Sequence, residues 1–238
     1  MVIAIYNIKG GVGKTSTTIN LAFNASKKDK ILVWDLDPQG ASTFYLEKKV
    51  KDKNFISKVQ KKGLNKFIKP TNIKNIDLIP ADLSLKDFDK YLNNDKNFKQ
   101  LLKTISTEYK YIFIDSPPTL SAISQNIFKA SDIIIIPTIP TILSVRTYNQ
   151  IVKYFKNYTK NRKIFTFLSM IDKRKKMHLE ISEKILKLPK KQILQTPIYN
   201  STIIEKMGEE LAPVEIFAPY SESAKLYQSL WKEIEEKV

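Results

Sequence analysis

Residues 9–16 read Lys9-Gly10-Gly11-Val12-Gly13-Lys14-Thr15-Ser16, directly behind the apolar run Met1-Val2-Ile3-Ala4-Ile5-Tyr6 and ahead of a helix-forming stretch that opens at Lys14. A strand, a glycine-rich turn and a helix in that order predict a βα unit, whose helix crosses back so that a further strand can lie parallel to the first. The glycines let the backbone curl until successive N–H groups point inward, and the helix N-terminus adds the positive end of its dipole. Together these make a cradle for phosphate. Within that cradle Lys14 reaches toward the β- and γ-phosphates and the Thr15 hydroxyl is a ligand for Mg²⁺. Gly10, Gly11, Val12, Gly13 and Ser16 complete the nucleotide-binding loop.

The rest of the chain repeats the same unit. Short runs rich in Ile, Val and Phe predict strands at Val2–Asn7, Ile31–Asp35, Ile76–Ile79, Tyr111–Asp115, Ile133–Pro137 and Ile164–Ile171, with a weaker one around Gln192–Gln195. Helical patterns fall at Lys14–Ser26, Leu83–Leu92, Phe98–Thr107, Ser121–Ala130, Ser144–Tyr158, Leu179–Leu186, Ser201–Met207 and Ser221–Glu236. An unbroken run such as Ile133-Ile134-Ile135-Ile136 suits a strand covered on both faces. The expected fold class is α/β: one domain over residues 1–238, with a doubly wound, mainly parallel β-sheet flanked by helices. The least legible stretch is Glu47–Asn75, rich in lysine and asparagine, which predicts one or two surface helices over the sheet edge. At the C-terminus Leu226, Leu230 and Ile234 recur every four residues beside Tyr227 and Trp231, while Glu233, Glu235 and Glu236 lie on the polar face. That stripe predicts a helix docked on the core in preference to a membrane anchor.

Composition narrows the chemistry. There is no cysteine, which excludes disulfides, thiolate metal sites and iron–sulfur ligation, and the single histidine, His178, leaves little for zinc or a Ser–His pair. The net charge is +16, and all but Arg146, Arg162 and Arg174 of the 40 basic residues are lysine. An excess of that size favours polyanions as partners, although a Lys-, Ile- and Asn-rich chain also follows from an AT-rich genome. The first residues lack the basic flank and cleavage site of a signal peptide, and no apolar run approaches the ~20 residues that cross a bilayer. The expected location is cytoplasmic, with no membrane partner.

Two acidic strand ends join the loop. Ile31-Leu32-Val33-Trp34 runs into Asp35-Leu36-Asp37-Pro38-Gln39-Gly40, and Tyr111-Ile112-Phe113-Ile114 ends in Asp115-Ser116-Pro117-Pro118. In a parallel sheet both carboxylate groups sit at the edge that also carries the phosphate loop. Asp115 is then placed to hold Mg²⁺, through water. The additional lysine, Lys9, makes the loop resemble the deviant Walker A motif, found in partition ATPases, septum-site ATPases, the nitrogenase iron protein and the arsenite-pump ATPase. The absence of cysteine removes the nitrogenase type. Further stretches resemble the ParA/Soj-type chromosome and plasmid partition ATPases. They are Asn75-Ile76-Asp77-Leu78-Ile79-Pro80-Ala81, Ala130-Ser131-Asp132 with Ile136-Pro137, Leu168-Ser169-Met170-Ile171-Asp172-Lys173-Arg174, and Pro213-Val214 through Tyr227. The resemblance covers essentially the whole chain.

That resemblance implies a P-loop NTPase fold of the deviant Walker A type and a weak intrinsic ATPase. Lys9 is expected to act in trans, reaching the partner's phosphates in a nucleotide-sandwich homodimer. Asp37 is expected to orient the attacking water and Asp35 to stand near the Mg²⁺ shell, so the catalytic set is Lys9, Lys14 and Asp37 and the metal set Thr15, Asp35 and Asp115. The resemblance makes Arg174, in Lys173-Arg174-Lys175-Lys176, the leading contact to nonspecific double-stranded DNA. A second family arginine is replaced by Thr202, so Lys190, Lys191 and Lys206 are candidates to compensate. No guanine-specific Asn-Lys-x-Asp motif ends a late strand, which favours ATP, and the base is expected between Met170–Asp172 and Pro197–Asn200, with Met170 and Pro197 as contacts. The implied function is ATP-driven DNA segregation, stimulated by a ParB-like centromere-binding partner on the nucleoid. A MinD-like membrane- or cargo-positioning ATPase is the alternative. The chain starts at the strand before the loop, so no helix-turn-helix extension is expected.

Overall fold

The computed structural model describes residues 1–46, 63–82, 84–85, 95–155, 163–187 and 192–238. Seven strands form one sheet: β1 (Val2–Ile5), β2 (Ile31–Asp35), β3 (Lys69–Pro70), β4 (Ile76–Ile79), β5 (Tyr111–Asp115), β6 (Ile133–Thr138) and β7 (Lys163–Leu168). Their order is β3-β4-β2-β5-β1-β6-β7. Every pairing is parallel except that of the two-residue edge strand β3 with β4. β1 therefore lies inside the sheet, and the chain leaves its carboxyl end where strand order reverses, the place such sheets keep for ligands.

The register lines up the acidic ends. Ile5 is opposite Asp115, and Asp115 is opposite Asp35, so the loop after β1 and both carboxylates share one level of one edge. Strand side chains alternate between two apolar layers. Ile3, Ile5, Val33 and Phe113 pack with helix α1 (Lys14–Ser26) and with Tyr227, Leu230, Trp231 and Ile234 of the C-terminal helix Glu222–Lys237. Leu32, Trp34, Ile112 and Ile114 pack on the other face with Phe98, Leu102 and Ile127. Covering both faces explains why β2, β5 and β6 are buried at every position. The apolar stripe of the C-terminal helix is in the core, as its periodicity predicts.

Four elements differ from the sequence expectation. The strand expected to reach Ile171 ends at Leu168, because Met170 adopts a left-handed backbone with φ 54° that breaks the pleat. Residues 192–195 form no strand and contribute one isolated bridge, Thr166 to Ile193. The helix expected over Ser201–Met207 is two short ones, Thr202–Glu205 and Met207–Glu210. A six-residue helix, Ala41–Leu46, stands where no helix was expected. The expected helix at Leu83–Leu92 lies largely outside the described residues, and of the Glu47–Asn75 stretch expected as surface helices the described part holds a 3₁₀ turn, Leu64–Phe67, and the edge strand β3.

Candidate active site

The loop after β1 is built by backbone geometry. Gly11 and Gly13 have φ of 69° and 84°, and Gly13 is the residue immediately before α1. A Cβ on Gly13 would also stand 3.1 Å from the Ser169 hydroxyl, so this position needs glycine twice over. Ser169 donates to the Val12 carbonyl at 2.9 Å and ties the loop to the end of β7. Asn7 steadies the entry, its amide donating to the Pro137 carbonyl at 2.8 Å while its carbonyl oxygen accepts the Lys9 N–H at 2.9 Å.

The two lysines of the loop take different positions. Lys14 is 7% exposed, and its ammonium donates to the Lys9 carbonyl at 3.3 Å. Burial lowers its pKa, while the charges of Asp115 and Asp37 pull it back up. Lys9 does not line the cleft; its ammonium rests 3.3 Å from the Ser144 hydroxyl, which also accepts from Thr141.

The carboxylates are held in a graded series. Asp35 is fully buried: Oδ2 accepts the N–H and the hydroxyl of Thr43, both at 2.8 Å, and Oδ1 accepts the Asp37 N–H at 3.1 Å. Asp115, opposite it, accepts the Ser42 hydroxyl at 2.7 Å through Oδ2. Burial, with the other carboxylate beside it, pushes the Asp35 pKa well above the ordinary value. Burial pushes Asp115 up to about 6, against the hydrogen bond from Ser42, the nearby Thr15 hydroxyl and the charge of Lys14. Asp115 Oδ1 is buried with no hydrogen-bond partner. An orphaned carboxylate oxygen beside Thr15 and at a phosphate cradle fits a hard cation with oxygen ligands. Among the described residues no group of three or more His, Asp or Glu could hold a metal by itself, so phosphate oxygens and water would have to complete the shell.

The phosphate loop and Asp37 open onto a cleft of about 490 Å³, while Asp35 and Asp115 are buried out of its lining. One end is lined by Gly10, Gly11, Gly13, Lys14, Thr15, Ser16 and Asp37, the other by Met170, Ile198, Tyr199 and Asn200. Pro197 does not line it, and its successors occupy that wall. Val12 is fully buried beneath the loop. Tyr45, Ile204, Glu205 and Tyr227 also line the cleft, and the sequence reading missed them. They come from helices Ala41–Leu46, Thr202–Glu205 and Glu222–Lys237, distant in sequence; Tyr227 alone stood out in the sequence, in the core stripe and the C-terminal stretch of the resemblance, without being assigned to the cleft.

The expected DNA contacts that are described do not line this cleft. Arg174 is exposed and forms a fork with Asp172, Nε to Oδ1 at 2.9 Å and Nη2 to Oδ2 at 3.0 Å. Lys173 pairs with Glu222 at 2.8 Å, and Lys175 stands 3.9 Å from Asp172. Lys206 is exposed at the junction of the two short helices. Lys190 and Lys191 lie outside the described residues.

Residues 1–167 match the AAA_31 family, described as an AAA domain. The sporulation initiation inhibitor protein Soj of Bacillus subtilis is 29% identical over 98% of this chain and 97% of its own length. A plasmid partition protein of Borrelia burgdorferi, solved bound to AMPPNP, superposes with a TM-score of 0.85 at 25% identity over 100% of this chain and 99% of that one. The cell division ATPase MinD of Pyrococcus furiosus shares the fold, with a TM-score of 0.83 at 20% identity over 100% of this chain and 99% of that one. With a phosphate loop, paired strand-end carboxylates and a matching sheet in one chain, the protein belongs to the AAA-domain family AAA_31, among P-loop ATPases of the ParA and Soj type.

Proposed function

We propose that the protein is an ATP-driven DNA-segregation switch. The observation that carries this reading is the cleft itself: a glycine cradle with a buried Lys14, Asp37 in its lining and the orphaned, buried Asp115 oxygen within reach of the Lys14 charge. ATP lies along it with its phosphates on Gly10–Ser16 and its base toward Met170 and Tyr199. Thr15 and Asp115 would hold Mg²⁺, with Asp35 supporting Asp115 from the adjacent strand, and the ion would supply positive charge against the phosphates. Asp37 orients the attacking water. Lys9 leaves Ser144 and crosses to the phosphates of a second copy, so only the triphosphate state forms the dimer. That dimer binds nonspecific double-stranded DNA through Arg174 and its neighbouring lysines. Hydrolysis, accelerated by a ParB-like centromere-binding partner, returns the monomer and frees the DNA. Unassisted turnover is slow, because the transition-state charge is incompletely neutralised.

A mobility shift on a random-sequence duplex tests this reading with no nucleotide, ADP–Mg²⁺ and AMPPNP–Mg²⁺. The expected result is a shift in AMPPNP alone that weakens with salt and with Arg174→Ala. Equal binding in all three states would reduce the DNA affinity to general lysine charge. No binding in any state would replace the reading with a switch that positions a protein cargo.

A further inference from the structure

Four consecutive cations, Lys173-Arg174-Lys175-Lys176, form the stretch through which DNA contact is proposed, yet each of them faces a carboxylate. Lys173 is 2.8 Å from Glu222, Arg174 is forked on Asp172, Lys175 is 3.9 Å from Asp172 and Lys176 is 3.8 Å from Glu180. Three carboxylates among four cations leave the patch almost neutral. The sequence alone reads it as strongly basic.

The Arg174–Asp172 pair is asymmetric. The Asp172 side chain is 10% exposed and that of Arg174 is 86% exposed. Asp172 is fixed: Oδ1 also accepts the Arg174 backbone N–H at 3.0 Å, and the Asp172 N–H donates to Nδ1 of the buried His178 at 3.1 Å. The acid is thus part of the scaffold, and the arginine is the part free to move. Its hydrogen bonds from Arg174 hold the Asp172 carboxyl down at about 2, so it stays charged at any physiological pH. A carboxylate bound side-on offers the guanidinium the two-oxygen edge that a phosphate offers.

The segment that carries the pair also reaches the cleft. Ser169 bonds the phosphate loop, Met170 lines the cleft, and Ile171 donates its N–H to Ile198 and accepts the Asn200 N–H, both in the cleft wall. Lys173 stands 3.9 Å above the ring of Tyr199, another cleft residue.

We propose that Asp172 is an internal competitor for the phosphate at Arg174, occupying the guanidinium fork until a DNA phosphate displaces it; this rests on the DNA-binding reading above. The competitor lowers affinity and flattens its salt dependence. When phosphate takes the arginine, one counterion leaves the DNA, but the exposed Asp172 carboxylate gathers another, so the exchange nearly cancels. Asp172→Asn keeps an oxygen for the Arg174 N–H and removes only the competing charge.

The test compares parent, Asp172→Asn, Arg174→Ala and the double variant for duplex binding in AMPPNP–Mg²⁺ across a salt series. Folding is checked by thermal melting, with Asp172→Ser as a second variant that also preserves the turn acceptor. The expected result is binding tighter by about two- to fivefold in Asp172→Asn. The salt slope should steepen by about one for each arginine engaged, with both gains absent when Arg174 is alanine. Unchanged affinity and slope, or a gain that persists without Arg174, would overturn the competitor. If the parent binds no DNA in any state, the DNA reading fails separately. The salt at which parent and Asp172→Asn leave immobilised heparin then decides the competitor, with later elution of the variant supporting it and equal elution overturning it.

Discussion

Asp115 answers to two opposing demands, stability of the empty protein and capture of a cation. The native state holds its proton up to about pH 6, whereas an ordinary aspartate gives it up near 3.8. Protonation therefore favours the folded form, and that contribution is lost as pH rises through 6. Above that value the buried carboxylate is charged next to Asp35, with one oxygen unpartnered. Asp115→Asn should melt at a higher temperature than the parent, by a margin that opens as pH rises from 5 to 8 in nucleotide-free buffer. The same variant should lose about 10- to 100-fold in Mg²⁺-dependent ATP hydrolysis, because a group that holds the ion through water is removed. A variant less stable than the parent at pH 8 would refute the first claim, and parental turnover the second. Gly13 carries the complementary prediction. Gly13→Ala forces a side chain into φ 84° and against the Ser169 hydroxyl. It should cost about 1–3 kcal/mol in denaturant unfolding and abolish nucleotide binding by calorimetry.

Elements divide by how their burial was written in the sequence. Strands Ile31–Asp35, Ile76–Ile79 and Tyr111–Asp115 were legible to the residue, because each is an apolar run closed by a carboxylate or a proline. Helix Lys14–Ser26 was equally legible, since glycine fixes its start. The helix Ala41–Leu46 was not, because it is under two turns long and is held by Ser42 and Thr43 on the buried carboxylates, a tertiary contact with no local signal. Residues 192–195 look like a strand, but Glu233 of the C-terminal helix takes the N–H groups of Gln195 and Thr196 at 2.7 and 2.9 Å. The ladder to β7, in which Thr166 pairs with Gln192 and Leu194 at 2.8 Å, therefore stops after one bridge. The C-terminal helix is thus a structural member: Trp231 packs edge-on against Tyr111 at 5.1 Å and beside Phe113 at 5.7 Å. Trp231→Ala should destabilise by about 3–5 kcal/mol in urea titration. A loss under about 1 kcal/mol would show that this helix is dispensable to the sheet.

For the whole molecule, the phosphate end of the cleft was legible because motif and strand ends are local, and the sheet register then assembles them at one edge. Of the far wall, Met170 and Ile198–Asn200 fall in the two segments expected to hold the base, whereas Tyr45, Ile204 and Tyr227 converge only through the fold. Nor was the near-neutrality of the Lys173–Lys176 surface legible, which depends on Glu222 arriving from the C-terminal helix. The position of Lys9 joins the two ends of the account. It rests on Ser144, outside the cleft it is proposed to serve in a second copy. Sedimentation equilibrium in AMPPNP–Mg²⁺, against ADP–Mg²⁺ and against Lys9→Ala, tests that switch most directly. The account predicts a mass of twice 27.5 kDa for the parent in AMPPNP alone, and a monomer for the parent in ADP and for Lys9→Ala in both. A parent that stays monomeric in AMPPNP, or a Lys9→Ala dimer as tight as the parent's, would contradict it.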